Sequence, residues 1–232
     1  MRFTVDTDKK IIFGWSAKCG CSKIKNIFWF LKTGKIRNPI HTKRDMNQLP
    51  GDIEEYITIL FCRNPYLRLI SGFLDKYKEN GQYRFKWIYP TLTFKDFVDE
   101  LIKDNWKLVE KHHFCPQTDE MFKKDIILKS KKIKVYDISN IDYKFIEDLY
   151  DKKLPKILLN RNYGHERKFF IKNTELWDKD VFNLPIEEYI DYNIDPKYFF
   201  NQEILDKIDN YFKSDFDFFR EFGIEYKSPL EN

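Results

Sequence analysis

The chain has 232 residues, with 41 Lys and Arg against 37 Asp and Glu for a net charge of +4, 34% charged residues, and 18% aromatics that include 22 Phe and 14 Tyr. So many aromatics exclude an intrinsically disordered chain, the small net charge excludes a bulk polycation, and the length suits one α/β domain with a full core over residues 1–232. No stretch approaches the ~20 apolar residues of a membrane span, and the N-terminus lacks a signal-peptide layout, so a soluble protein, cytoplasmic or otherwise, is expected.

Val5 to Lys10 reads as a turn leading into a first strand at Ile11, Ile12 and Phe13. From Ser22 the apolar residues Ile24, Ile27, Phe28 and Leu31 recur at helical spacing. Between strand and helix lies Ser16-Ala17-Lys18-Cys19-Gly20-Cys21-Ser22, a tight turn with Ser22 placed to cap the helix. A helix N-terminus presents backbone N–H groups and a partial positive charge. Such a turn can cradle a phosphate or sulfate, and Lys18 would add a full charge. The spacing is not that of the NTPase loop G-x-x-x-x-G-K-[ST], because the Lys precedes the small residues. On its own the stretch reads more readily as an ordinary strand-to-helix turn with a solvated Lys.

Residues 32–55 are polar, with Gly34, Pro39, Pro50 and Gly51 as breakers, and predict a loop with at most a short helix. A long polar loop of this kind is a place to grip a substrate, and it holds His41. A second apolar strand, Ile57 to Cys62, runs straight into a second helix whose first position suits Pro65. Arg63 and Asn64 then lie at the strand's carboxyl end, where open α/β sheets bind ligands. Ser71 lies two turns into that helix, expected on the side of the same crevice.

Thr93 to Lys103 predicts an amphipathic helix with Thr93 as cap and Asp96 in the capping-box position. Residues 110–121 read EKHHFCPQTDEM. Asp125 to Lys134 is a basic stretch, by itself a solvated edge, that flows into a third strand, KIKVYDIS. Tyr143 to Tyr150 predicts a short helix, KILLN at 156–160 a further strand or strand-like segment, and NRNYGHERKFF follows. In the tail, Ile204, Leu205, Ile208, Tyr211 and Phe212 share one helical face, which reads as core packing. The four cysteines, Cys19, Cys21, Cys62 and Cys115, do not make a paired secreted framework. The C-x-C at 19 and 21 lacks a matching pair for zinc, so small side chains in a crowded turn explain it better.

Taken together, AKCGCSKIK at 17–25 and FCRNPYLRLISGF at 61–73 resemble the two donor motifs of sulfotransferases that use 3′-phosphoadenosine 5′-phosphosulfate (PAPS). The resemblance is to the carbohydrate branch in particular, which includes the heparan sulfate 2-O-sulfotransferases. The first stretch stands where that family has a P-K-x-[AG]-[CS]-[TS]-S-like loop around the 5′-phosphosulfate, with Ala17 in place of the usual Pro. The second matches [FV]-x-R-[NDH]-P-x-x-R-L-x-S-x-[FY] almost position by position and is the more specific of the two.

The resemblance implies a P-loop-like sulfotransferase fold, a single α/β domain with a central, mostly parallel sheet flanked by helices. It implies that Lys18, Cys19, Gly20, Cys21, Ser22 and Lys23 hold the donor's 5′ end, and that Arg63 and Ser71 hold its 3′-phosphate. Arg167 and Lys168 are similar to a closing loop over that phosphate; surface charge is the alternative. His41 matches, by placement ahead of the Arg63 motif, the catalytic His of the 2-O-sulfotransferases, although a surface loop His explains it equally. His113-Phe114-Cys115-Pro116-Gln117 looks like a His-[WF]-x-P-Q segment of the branch that shapes the acceptor site or supplies a base. Eukaryotic members usually carry an N-terminal membrane anchor, and none is legible here.

The implied reaction moves a sulfuryl group from PAPS to a hydroxyl, that of a glycan first, and needs no metal. By analogy with phosphoryl transfer the protein supplies positioning and charge. Lys18 would neutralise the bridging oxygen and 5′-phosphate, and His41 would accept the hydroxyl proton, with His113 as the second candidate. Two other classes compete. A P-loop-type kinase or NTPase is disfavoured by the missing G-K-[ST] and by the lack of a clear metal-holding Asp after a strand. A non-catalytic nucleic-acid or polyanion binder would use the Lys-rich stretch and show a steep salt dependence. No nucleic-acid partner is expected on the favoured reading.

Overall fold

A computed structural model describes residues 1–36, 49–78, 81, 91–119, 122–160 and 176–231. In chain order the elements are β1 (Arg2–Asp6), β2 (Ile11–Trp15), α1 (Cys21–Thr33), β3 (Ile57–Cys62), α2 (Pro65–Lys76), α3 (Phe94–Ile102), α4 (Lys111–Phe114) and α5 (Lys124–Ile127). There follow β4 (Lys132–Asp137), α6 (Tyr143–Tyr150), α7 (Lys156–Leu159), β5 (Leu176–Trp177), α8 (Ile186–Tyr189), β6 (Asn193–Ile194), α9 (Gln202–Tyr211) and α10 (Lys213–Glu221). The chain folds into two compact units, Met1–Arg63 with Gln117–His165 and Asn64–Pro116 with Glu166–Asn232.

The first unit is built on a four-stranded sheet in the order β1-β2-β3-β4. β2, β3 and β4 run parallel, with Phe13 opposite Ile59 and Leu60 opposite Val135, while β1 is antiparallel to β2. Every residue of β2 is buried, which is why that strand reads as a continuous apolar run instead of an alternating one. Helix α1 lays Ile24, Ile27, Phe28 and Leu31 on the sheet, as their spacing predicts, and Phe28 meets Phe13 edge-on at 5.4 Å. Ile146, Tyr150, Leu154 and Leu158 complete that core. The three parallel strands end level with one another, at Trp15, Cys62 and Asp137, so the segments that follow each strand gather at one edge of the sheet.

Two expectations for this unit are corrected. The turn expected at Val5 to Lys10 is confined to residues 7–10, because Arg2–Asp6 is itself a strand paired from Arg2–Trp15 to Asp6–Ile11. Asp6 carries turn chemistry and strand pairing at once: its carboxylate accepts from the Asp8 N–H at 3.2 Å and meets Lys32 at 3.3 Å. The strand expected at 156–160 is a short helix. A run of three apolar residues cannot separate strand from helix by periodicity. Here Pro155 leads the turn, its carbonyl accepting from the Leu158 N–H at 2.9 Å while Leu158 enters the core.

The second unit holds much of the aromatic content. Phe73, Tyr77, Phe94, Phe97, Phe114, Phe199 and Phe200 are fully buried together, with ring pairs such as Phe97–Phe114 at 4.8 Å and Phe73–Phe97 at 5.1 Å. Helix α3 starts at the expected cap, where the Thr93 hydroxyl accepts from the Asp96 N–H at 3.0 Å. Helix α2 starts at Pro65, with the Asn64 carboxamide oxygen accepting from the Tyr66 N–H at 2.9 Å. Ile204, Leu205, Ile208 and Phe212 are core residues as expected, although the tail forms two helices, with Phe212 at their junction. Among the described residues no helix is long and apolar enough to cross a membrane.

Gly72 shows how tightly this core is built. A Cβ there would lie 2.6 Å from the Phe114 ring, which is fully buried against Phe97. Ala would gain about 1 kcal/mol of helix propensity. The clash with a ring that cannot withdraw costs about 1–3 kcal/mol and decides the sign. Gly72→Ala is therefore expected to lower the denaturation midpoint at unchanged slope, and a midpoint equal to or above wild type would contradict the packing argument.

Candidate functional site

At the carboxyl edge of the first unit's sheet, the chain leaves β2 through a turn closed by the Cys19 N–H donating to the Ser16 carbonyl at 3.2 Å. Lys18 occupies this turn with φ of 65°, a left-handed backbone that costs an L-residue about 1–2 kcal/mol. Gly20 is left-handed as well, also at φ 65°, and it is the N-cap of α1. The cap residue, a glycine, has no side chain to bond the first-turn N–H groups, and no acidic residue lies in that turn. The expectation that Ser22 caps α1 is therefore corrected. Ser22 lies inside the first turn, because a left-handed Gly20 brings the chain into the helix one residue after itself, at Cys21. A 13-residue helix whose glycine-capped N-terminus meets a lysine-bearing turn is a favourable place for an anionic group.

The expected loop residues take different parts. Gly20 is exposed, while Lys18, Cys21, Ser22 and Lys23 are half-buried. Cys19 is fully buried and its thiol donates to the Gln117 carboxamide oxygen at 3.0 Å, so its backbone and side chain build the turn. The Lys23 ammonium turns to the carbonyls of Leu159 and Asn160, at 3.2 and 3.4 Å. The buried Lys25 lies with its ammonium 5.7 Å from the centre of the Trp15 ring, a contact that helical spacing alone does not signal.

Arg63, one residue past β3, is half-buried, and its Nη1 donates to the Lys18 carbonyl at 3.1 Å. The structure thus brings Arg63 to the Lys18 turn. Its backbone is held by a residue to which sequence reasoning gave no role of its own. Gln117 accepts from the Arg63 N–H at 3.1 Å and donates from Nε2 to the Arg63 carbonyl at 2.8 Å. The available signal was the segment His113-Phe114-Cys115-Pro116-Gln117, whose last residue is the one that reaches this turn.

In the second unit Ser71 is half-buried on α2. Arg68 of the same helix, the second Arg of FCRNPYLRLISGF, is buried, and its Nη1 donates to the Cys115 carbonyl at 2.8 Å. His113 belongs to the short helix α4, whose N-cap is Glu110. Glu110 Oε2 accepts from the His113 backbone N–H at 2.8 Å and pairs with the ring at Nδ1, 2.5 Å away. Burial works against the charged carboxylate. The hydrogen bond and charge of His113 outweigh it, with smaller help from the His113 N–H and from His112, and bring the Glu110 carboxyl down to about 2. A carboxylate holding Nδ1 fixes ring orientation and tautomer, an arrangement that suits proton transfer at the other nitrogen. Glu110, three residues before His113, was legible as a capping acid but was not singled out.

His41, Arg167 and Lys168 lie outside the described residues. All four cysteines are free thiols, and among the described residues no cluster of three or more His, Cys, Asp or Glu can hold a metal. A model of the sulfotransferase family matches residues 1–222. No curated protein and no solved structure matches the chain.

Proposed function

The chain belongs to the sulfotransferase family, and from that premise we propose that it transfers the sulfuryl group of PAPS to a hydroxyl of a carbohydrate, as in the branch of the heparan sulfate 2-O-sulfotransferases. The observation that carries the donor reading is the glycine-capped N-terminus of α1 behind the Lys18 turn, with the Arg63 guanidinium bound to the Lys18 carbonyl. On this reading the first-turn N–H groups from Gly20 to Lys23, beside Ser22, hold the 5′-phosphosulfate, and Lys18 meets the charge that grows on the leaving phosphate. Arg63 and Ser71 hold the 3′-phosphate, and Arg167 and Lys168 close over it. These four assignments are carried by the motifs. The family match runs across both compact units, which supports one catalytic domain over residues 1–232.

The acceptor's proton goes to His41 on the placement argument. The pairing of His113 with Glu110 favours His113 as the second reading. A hydroxyl acceptor of the glycan class fits the branch that the motifs resemble, and neither a metal nor a nucleic acid enters the scheme.

The direct test is thermal: adenosine 3′,5′-bisphosphate should raise the melting temperature at concentrations where ADP does not, since only the former carries a 3′-phosphate. Equal shifts would return the protein to the kinase and NTPase reading, and no shift with either, together with steep salt-dependent polyanion binding, to the non-catalytic one. Arg63→Ala is expected to weaken calorimetric binding of the bisphosphate by about 1.5–3 kcal/mol, the range for a hydrogen bond to a charged group. Ser71→Ala should weaken it less. Unchanged affinity in the Arg63 variant would remove the motif from the donor site.

A further inference from the structure

We propose that Gln117 is a positioning residue of the donor site, a buried amide that holds the Lys18 turn and Arg63 in one frame. The inference rests on the donor reading above and adds to it a residue that touches neither nucleotide nor acceptor.

The geometry is that of a ladder extended by a side chain. Backbone pairing between β3 and β4 runs as far as the Ile138 N–H, which donates to the Cys62 carbonyl at 2.9 Å. One residue on, Arg63 pairs with the Gln117 carboxamide, which accepts from its N–H at 3.1 Å and donates to its carbonyl at 2.8 Å. The same carboxamide oxygen accepts the Cys19 thiol at 3.0 Å. Cys19 follows Lys18 directly, and the Lys18 carbonyl accepts from the Arg63 guanidinium at 3.1 Å. Three segments are thereby tied in a closed loop: the turn at Lys18 and Cys19, Arg63, and Gln117.

The residue type is specific to this task. Gln117 is fully buried and offers a donor and an acceptor on one planar group, which is what a peptide unit offers a strand. A carboxylate would set a lone pair against the Arg63 carbonyl, and Asn would stop one methylene short. Removing the amide leaves a backbone N–H and C=O at Arg63 without this partner, so the segment would shift to satisfy them elsewhere. Two elements must sit correctly for one donor molecule to be gripped at both ends, so such a shift should weaken binding although no ligand contact is deleted.

The test compares wild type, Gln117→Met and Gln117→Asn by amide hydrogen exchange and by calorimetric binding of adenosine 3′,5′-bisphosphate. Met keeps length and burial without the amide; Asn keeps the amide and carries the test if the Met variant does not fold. Exchange should quicken at least tenfold in peptides covering 17–23 and 63–64 while β2 and α3 keep wild-type rates. Affinity should fall at least tenfold, more for Met than for Asn. Wild-type affinity in a folded variant overturns the inference and leaves the donor reading intact. Exchange raised equally in the turn, β2 and α3 assigns Gln117 to general stability and overturns it too. If the wild-type protein binds no bisphosphate, the donor reading falls. Exchange then decides alone: quickening confined to the turn and Arg63 supports the brace, and unchanged exchange overturns it.

Discussion

Lys18→Ala is expected to lower turnover by roughly 10²–10³-fold, the range for removing one preorganised charge-stabilising donor, while the dissociation constant of adenosine 3′,5′-bisphosphate changes less than tenfold. The asymmetry follows from timing. On the proposed reading the Lys18 charge is needed most when the bond from sulfur to the bridging oxygen breaks and the leaving phosphate gains its own charge, so its contribution would be larger in the transition state than in the bound product. The measurement is kcat at saturating PAPS beside the product's dissociation constant, and equal losses in both would make Lys18 a plain binding residue. Its backbone adds a second arm. At φ 65° Lys18 sits where Gly is at ease, so Lys18→Gly is expected to match or exceed wild-type stability by up to about 1 kcal/mol while losing turnover as Ala does. A stable, inactive Gly variant would mean that the strained turn is held for the charge it carries. A destabilised one would mean that the Lys18 side chain is needed for the fold.

The second large effect is expected at His41. Removing a general base costs about 10²–10⁴-fold, so His41→Ala should lose at least about 10²-fold in kcat with nucleotide affinity retained. A base must be neutral to accept a proton. The wild-type rate should therefore fall on the acid side of imidazole's ordinary pKa, about 6.5, and that limb should vanish in the variant. His113→Ala is the control that makes the result decisive. His113 already has its ring nitrogen on Glu110, and the same carboxylate caps α4 through the His113 N–H, so the pair also holds a turn of structure. A near-normal His41→Ala enzyme beside a dead His113→Ala enzyme that still binds nucleotide would transfer the base to His113.

What the chain's own letters determined is the local physics. The apolar runs at Ile11–Phe13 and Ile57–Cys62, each leading into a helical pattern, read as buried strands, the four apolar positions from Ile24 to Leu31 face a core at helical spacing, and Asn64-Pro65 and Thr93 set helix starts. The two stretches that resemble donor motifs were legible for the same reason: a strand, a turn and a helix start are contiguous, so their chemistry and their spacing lie side by side in the sequence. What only the tertiary structure decided involves residues brought together from afar or choices that propensity leaves balanced. Arg2–Asp6 became a strand because β2 offered it an edge, and Lys156–Leu159 became a helix because Leu158 could reach the core behind Pro155. The cap of α1 passed from Ser22 to a left-handed Gly20, which a pattern of capping residues cannot foresee. Gln117 pairs with Cys19 and Arg63 across 98 and 54 residues. No local period encodes such a contact. It exists because the segments leaving β2 and β3 emerge at one edge of the sheet, where Cys19 and Arg63 must find new hydrogen-bond partners and the Gln117 carboxamide lies within reach of both.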